Sequence, residues 1–156
     1  MKKIFAFLLT FIMALSTTCV AFAGEMPAPS NTYPAEYEYF DDGSYMVTTI
    51  TESSSAFARA TRSKTGSKTA KYYSSSGSAL WSVTVTGTFS YTGSSATCTS
   101  ASVSTKIYNS AWRLVNSYAK PSGASATATA TAKYNDSSTY KSLSVTLTCK
   151  ANGVLF

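Results

Sequence analysis

Between Leu80 and Tyr91 the chain reads LWSVTVTGTFSY, with Trp81, Val83, Val85, Gly87, Phe89 and Tyr91 at odd positions and Leu80, Ser82, Thr84, Thr86, Thr88 and Ser90 at even ones. Successive side chains of a strand point to opposite faces, so this period of two predicts a strand with one face in a core and one hydroxyl face in water. The same period recurs downstream. Ala96 to Tyr108 puts Ala101, Val103, Thr105 and Ile107 on one parity and Cys98 on the other, which predicts a bulge between Cys98 and Ala101 or burial on both faces near the start. Trp112 and Leu114 share a parity in AWRLVNSY. Ala124 to Tyr134 alternates alanine with Ser, Thr or Lys, and the β-branched threonines favour a strand over a helix. Its small side chains predict close approach by the opposite sheet or by a ring such as Trp81 or Trp112. Tyr140 to Lys150 places Leu143, Val145, Leu147 and Cys149 on one face.

Turn signals separate these runs: Ser74–Gly77, Thr92–Ser95, Lys120–Gly123 and Tyr134–Ser138. An earlier run, Tyr45, Val47, Thr49, follows the turn pair Asp42-Gly43 and could add a strand, with Tyr37, Tyr39 and Phe40 docking their rings on it. Six to seven strands with no helical stretch predict an all-β, antiparallel β-sandwich. Gly87 is read as a bulge or a close contact.

The first residues, MKKIFAFLLTFIMALSTTCVAFAG, carry two lysines, an apolar run and the small-residue site Ala21-Phe22-Ala23. This is the layout of a secretory signal peptide over residues 1–23, with cleavage expected between Ala23 and Gly24. The apolar run is short for a bilayer crossing, and Ser16, Thr17 and Thr18 are poor flanks for lipid attachment at Cys19. The expected mature protein is therefore secreted, and it retains Cys98 and Cys149 as an even pair. In an exported chain such a pair most often forms a disulfide. A closed loop of about 50 residues would contribute roughly 4 kcal/mol on the chain-entropy model.

Charge is stepped along the sequence. Between Gly24 and Phe57 stand the acids Glu25, Glu36, Glu38, Asp41, Asp42 and Glu52 and no base; from Arg59 onward there are eleven Lys and Arg against the single acid Asp136. Residues 24–58 thus read as an acidic segment that is a solubilising tail, a pro-segment cut after Arg59 or Arg62, or an added strand. Residues 59–156 read as the basic β-sandwich domain.

The order Cys98, Trp112, Cys149 resembles the Cys…Trp…Cys framework of immunoglobulin-like domains, and the resemblance spans about Ala79 to the end. It implies an immunoglobulin-like sandwich with Trp112 packed on an inter-sheet disulfide. Two departures stand out: Leu147 occupies the corner-tyrosine position, and little chain follows Cys149. In style, though in no motif, the chain also resembles the small Ser/Thr-rich secreted proteins of Gram-positive bacteria.

Histidine is absent, which excludes Ser/His and Cys/His nucleophile systems. Beyond residue 52 the only carboxylate is Asp136, so a flanking carboxylate pair for glycoside hydrolysis is not in place. Neither nucleotide-binding glycine motif occurs, and the sequence calls for no cofactor or metal. The chain is expected to bind rather than to catalyse. Its densest basic run, Arg59, Arg62, Lys64, Lys68 and Lys71, leads directly into Tyr72 and Tyr73. Read functionally it is a patch for a polyanion: an anionic cell-wall polymer such as a teichoic acid, a membrane surface or a glycan, with nucleic acid disfavoured by secretion. Read structurally it is a lysine-guarded edge strand. Three roles follow: a secreted binding module, a basic antimicrobial or toxin-like effector with an acidic leader, and a structural extracellular component.

Overall fold

The computed structural model describes residues 33–57, 62–135 and 137–156, the side chains of 53–57 excepted. The signal segment, its Ala23/Gly24 junction, Cys19, Arg59 and Asp136 lie outside the described residues.

Among the described residues eight strands form two antiparallel sheets. Glu36–Tyr39 (β1), Tyr45–Phe57 (β2), Arg62–Tyr73 (β3), Ala79–Tyr91 (β4) and Ala96–Ile107 (β5) make one sheet in that order; Trp112–Ser122 (β6), Ser125–Tyr134 (β7) and Tyr140–Thr148 (β8) make the other. Every pairing joins sequence neighbours, so each sheet is a meander and their faces pack as a sandwich. The strand beyond the expected number is β1. Its four exposed residues alternate Glu with Tyr, a run too short for the hydrophobic period to stand out.

The core follows the alternation in β4. Trp81, Val83, Val85 and Phe89 are fully buried, facing the row Ala126, Ala128, Ala130 and Ala132 of β7 and the row Leu143, Val145 and Leu147 of β8. Each large side chain removed from water contributes about 1.5–3 kcal/mol. Alanine is required by the close approach of the sheets. A methyl placed on Gly87 would lie 2.6 Å from the Phe89 ring and 2.9 Å from the Ala126 Cβ, so that ring packs over bare backbone. Gly66, the register partner of Gly87, lies under Leu155 in the same way. The bulge expected in β5 is present: Thr88 pairs with Ser100 and Phe89 with Cys98, leaving Thr99 as the extra residue and turning Cys98 inward.

Two expectations are corrected. Cys98 and Cys149 are free thiols, both buried; each sulfur lies against a carbonyl of its own strand region, Cys98 Sγ 3.2 Å from Ser100 O and Cys149 Sγ 3.4 Å from Lys150 O, and no disulfide joins them. Trp112 does not pack on the sulfurs. It opens β6 opposite Tyr134, at the far end of the sandwich from the cysteines, and its ring meets Tyr72 and Tyr134 edge-on or tilted, with centroids 5.9 and 5.5 Å away.

The acidic segment enters the fold as sheet. Strand β2 pairs along the whole of β3, from Tyr45–Tyr73 to Phe57–Arg62, so it widens the five-stranded sheet and leaves the threonine face of β4 open to solvent. On that face hydroxyls pair across strands: Thr65 with Thr88 at 3.1 Å, Ser67 with Thr86 at 2.8 Å and Thr69 with Thr84 at 2.8 Å. Such cross-strand pairs contribute about 0.2–1 kcal/mol each.

Candidate functional site

Strand alternation divides the basic run that the sequence presents as one patch. The even residues of β3 turn toward the second sheet. Tyr72 is buried and donates its hydroxyl to Ser44 Oγ at 2.9 Å. Three strands cannot cover five, and at the margin of the smaller sheet the two inward lysines of β3 meet acids. Lys64 Nζ lies 3.1 Å from Glu52 Oε1, with only 13% and 18% of the two side chains exposed, and Lys68 Nζ lies 3.7 Å from Glu36. Tyr33 also donates to the Glu52 carboxylate. Arg62 begins β3 opposite Tyr91 and is exposed. Arg59 lies outside the described residues. Of the expected patch, only Lys71 and Tyr73 reach the outer face.

There they meet two residues the sequence reading did not single out. One row of register partners crosses the sheet as Tyr37, Val47, Lys71, Ser82 and Lys106. Lys71 and Lys106 are thus two strands apart, about 10 Å at the backbone. Beside them Tyr73 and Tyr108 form the walls: Lys71 Nζ is 5.9 Å from the Tyr73 ring centroid and 5.1 Å from that of Tyr108, and Lys106 Nζ is 5.0 Å from the Tyr108 centroid. Rings over which an ammonium sits hold the lysine stems in place without neutralising them. A shallow depression of about 360 Å³ lies between these walls, floored by Thr69, Ser82 and Thr84 and by Ser104. Tyr73 continues into a ring row, stacked on Tyr45 at 4.9 Å and 5°, with Tyr39 5.6 Å beyond.

The electrostatics follow from parity. Glu36, Glu38 and Glu52 are register partners of Thr48, Met46 and Gly66, all on the inner face. No carboxylate among the described residues of β1 to β5 therefore stands on the outer face, and its two ammonium groups meet no counter-charge there. A signal for the missed pair was present: Lys-x-Tyr occurs at Lys71–Tyr73 and again at Lys106–Tyr108. Only the shared neighbour β4 makes the two copies adjacent.

Among the described residues no three or more of His, Cys, Asp and Glu gather as a metal site would need. Burial raises both thiol pKa values, the opposite of the lowered pKa that activates a thiol nucleophile. Comparison of the chain with protein-family models, with curated proteins and with solved structures finds no match.

Proposed function

We propose that this protein is an exported, non-enzymatic binding module whose ligand is an anionic glycan or cell-surface polymer laid across the outer face of the five-stranded sheet. The observation that supports this reading is the segregation of charge by parity: Lys71 and Lys106 stand with Tyr73 and Tyr108 on a face without acids. Lysines supply attraction to phosphate or carboxylate groups. Tyrosine rings offer flat surfaces to sugar rings, and the hydroxyl floor offers both donors and acceptors. Export rests on the signal layout of residues 1–23. The leader reading of the acidic segment has less support, because cutting after Arg59 or Arg62 would strip β1 and β2 from the sheet and leave Lys64 and Lys68 without Glu52 and Glu36.

The test is the double variant Lys71→Gln/Lys106→Gln, assayed for binding to immobilised polygalacturonate and to lipoteichoic acid, with neutral dextran as control. Each lysine near an anionic surface is worth about 1 kcal/mol, so the pair should weaken binding on the order of tenfold or more. Binding should also fall as salt rises. Retention that ignores both salt and the double substitution would exclude the proposal. The matched variant Lys64→Gln/Lys68→Gln should lower stability and leave polymer affinity nearly unchanged.

A further inference from the structure

All four connections at one end of the sandwich, β1–β2, β3–β4, β5–β6 and β7–β8, converge around a cleft of about 690 Å³. That volume lies in the range of small-molecule sites, about 300–1,000 Å³. Its floor is apolar: Tyr72, Leu80 and Trp112 are buried there. Its rim carries two exposed rings, Tyr134 at 42% and Tyr140 at 54%, facing the hydroxyls of the Ser74–Ser78 turn. Trp112 and Tyr134 are tilted 59° to one another, so the rings form a corner and not a flat stack.

Polar chemistry in the cleft is balanced, unlike that of the cationic face. Among the described residues one acid, Asp42, and one base, Lys141, line it. Lys141 is seated on rings: its Nζ lies 3.4 Å from the Phe40 centroid and 5.2 Å from that of Tyr72. Asp42 Oδ1 accepts from both the backbone N–H, at 2.9 Å, and the hydroxyl of Ser44, whose Oγ in turn accepts from Tyr72. These bonds hold the carboxyl pKa below its ordinary value and fix the group in place, while Oδ2 has no donor from another residue among those described. Asn109, whose Oδ1 accepts from the Ala111 N–H, closes the opposite side.

We propose that this cleft is a second binding site, for an uncharged sugar residue, distinct from the polyanion face and independent of it. A pyranose presents apolar C–H faces, which the ring corner accommodates, and a fringe of hydroxyls. Asp42 Oδ2 accepts from one or two of those hydroxyls, and the serine turn and the Asn109 amide exchange hydrogen bonds with the rest. Among the described residues an anionic ligand would meet the Asp42 carboxylate together with Lys141, so the cleft offers it no net attraction. A quaternary ammonium would have to displace Lys141 from its seat on the rings.

Trp81 is buried with no exposed surface and Trp112 lines the cleft, so a ligand-dependent change in the fluorescence of the two tryptophans reports on Trp112. The protein is titrated separately with cellotriose, maltotriose, triacetylchitotriose, choline and polygalacturonate. At least one neutral trisaccharide should give a saturable change. Tyr140→Ala, Tyr134→Ala and Asp42→Ala should each weaken it at least tenfold, whereas Lys71→Gln/Lys106→Gln should leave it unaltered. Because Tyr140 is the most exposed of the cleft rings, its variant should keep the parent melting temperature and so separates lost binding from lost folding. Saturation by choline alone, no saturable response to any of the three sugars, or a sugar response that survives Tyr140→Ala and Asp42→Ala would overturn the assignment. Failure of the parent protein to bind polygalacturonate, with sugar binding present, would remove the first reading and leave this one standing.

Discussion

On one face of β3, Lys64 and Lys68 sit in a crevice beside Glu52 and Glu36; on the other, Lys71 stands over the rings of Tyr73 and Tyr108 with no acid on its face. The three residues are the same type, within eight positions of one another, yet two are part of the structure's charge balance and one is available to a ligand. A run of charge in a strand is therefore two half-runs, and each must be judged with the face it belongs to. The acidic segment sharpens the point, since its even-numbered glutamates neutralise only one of the two faces.

The comparison breaks first at the level of the sheet. A chain beginning at Ser63 lacks β1 and β2 and leaves two inward lysines unpaired, so thermal or urea unfolding should show a loss on the order of 3–5 kcal/mol. An unchanged melting point would mean that the acidic segment is dispensable to the fold and that Lys64 and Lys68 are free to bind as well. Next in size is the inner face. Gly87→Ala forces a methyl against Phe89 and Ala126 and should cost about 1–3 kcal/mol, as overpacking does. Thr86→Ala, one residue away on the outer face, loses only its bond to Ser67 and should cost about 0.2–1 kcal/mol.

Within the charged residues, Glu52→Gln should lower stability by about 1–3 kcal/mol, because Lys64 is then left largely buried beside a neutral amide. Lys71→Gln should change stability by no more than about 0.5 kcal/mol. Equal losses in chemical denaturation would erase the distinction between the faces.

The smallest effect is on pH. Both thiols have pKa values raised by burial above the ordinary 9.0, so the folded state holds these protons more tightly than the unfolded chain. Their contribution is complete below about pH 9 and is lost as pH rises through the folded values. Melting temperatures measured from pH 8 to 10.5 should fall more steeply for the parent than for Cys98→Ala/Cys149→Ala. In the same samples, iodoacetamide should react slowly until denaturant is added; rapid modification of the native protein would contradict the buried placement. Asp42 has the opposite sign. Its lowered pKa adds stability above the ordinary carboxylate range, lost as pH falls through the folded value.

Much of the core was legible because period two is a local property. Trp81, Val83, Val85 and Phe89 declare their face, the alanines of β7 declare a narrow gap, and the parity conflict of Cys98 with Ala101 declares a bulge. The site was legible only in part. Lys71 and Tyr73 lie in the expected run, but Tyr72 is core, and Lys106 and Tyr108 join from 35 residues downstream. Nothing local distinguishes a lysine that will meet a glutamate from one that will not. The same holds for Trp112, whose place between two cysteines in sequence did not bring it near them in space.

By itself the sequence determined the fold class, the inner and outer residue of each strong strand and the step in charge, because these follow from side-chain alternation and composition. Tertiary structure decided which strands became neighbours, and with that which charges cancelled. Pairing β2 with β3 placed glutamates against Lys64 and Lys68, and pairing β4 with both β3 and β5 brought two distant Lys-x-Tyr segments onto one face. Register is a relation between strands set by cross-strand hydrogen bonds and core fit, and no single strand carries it.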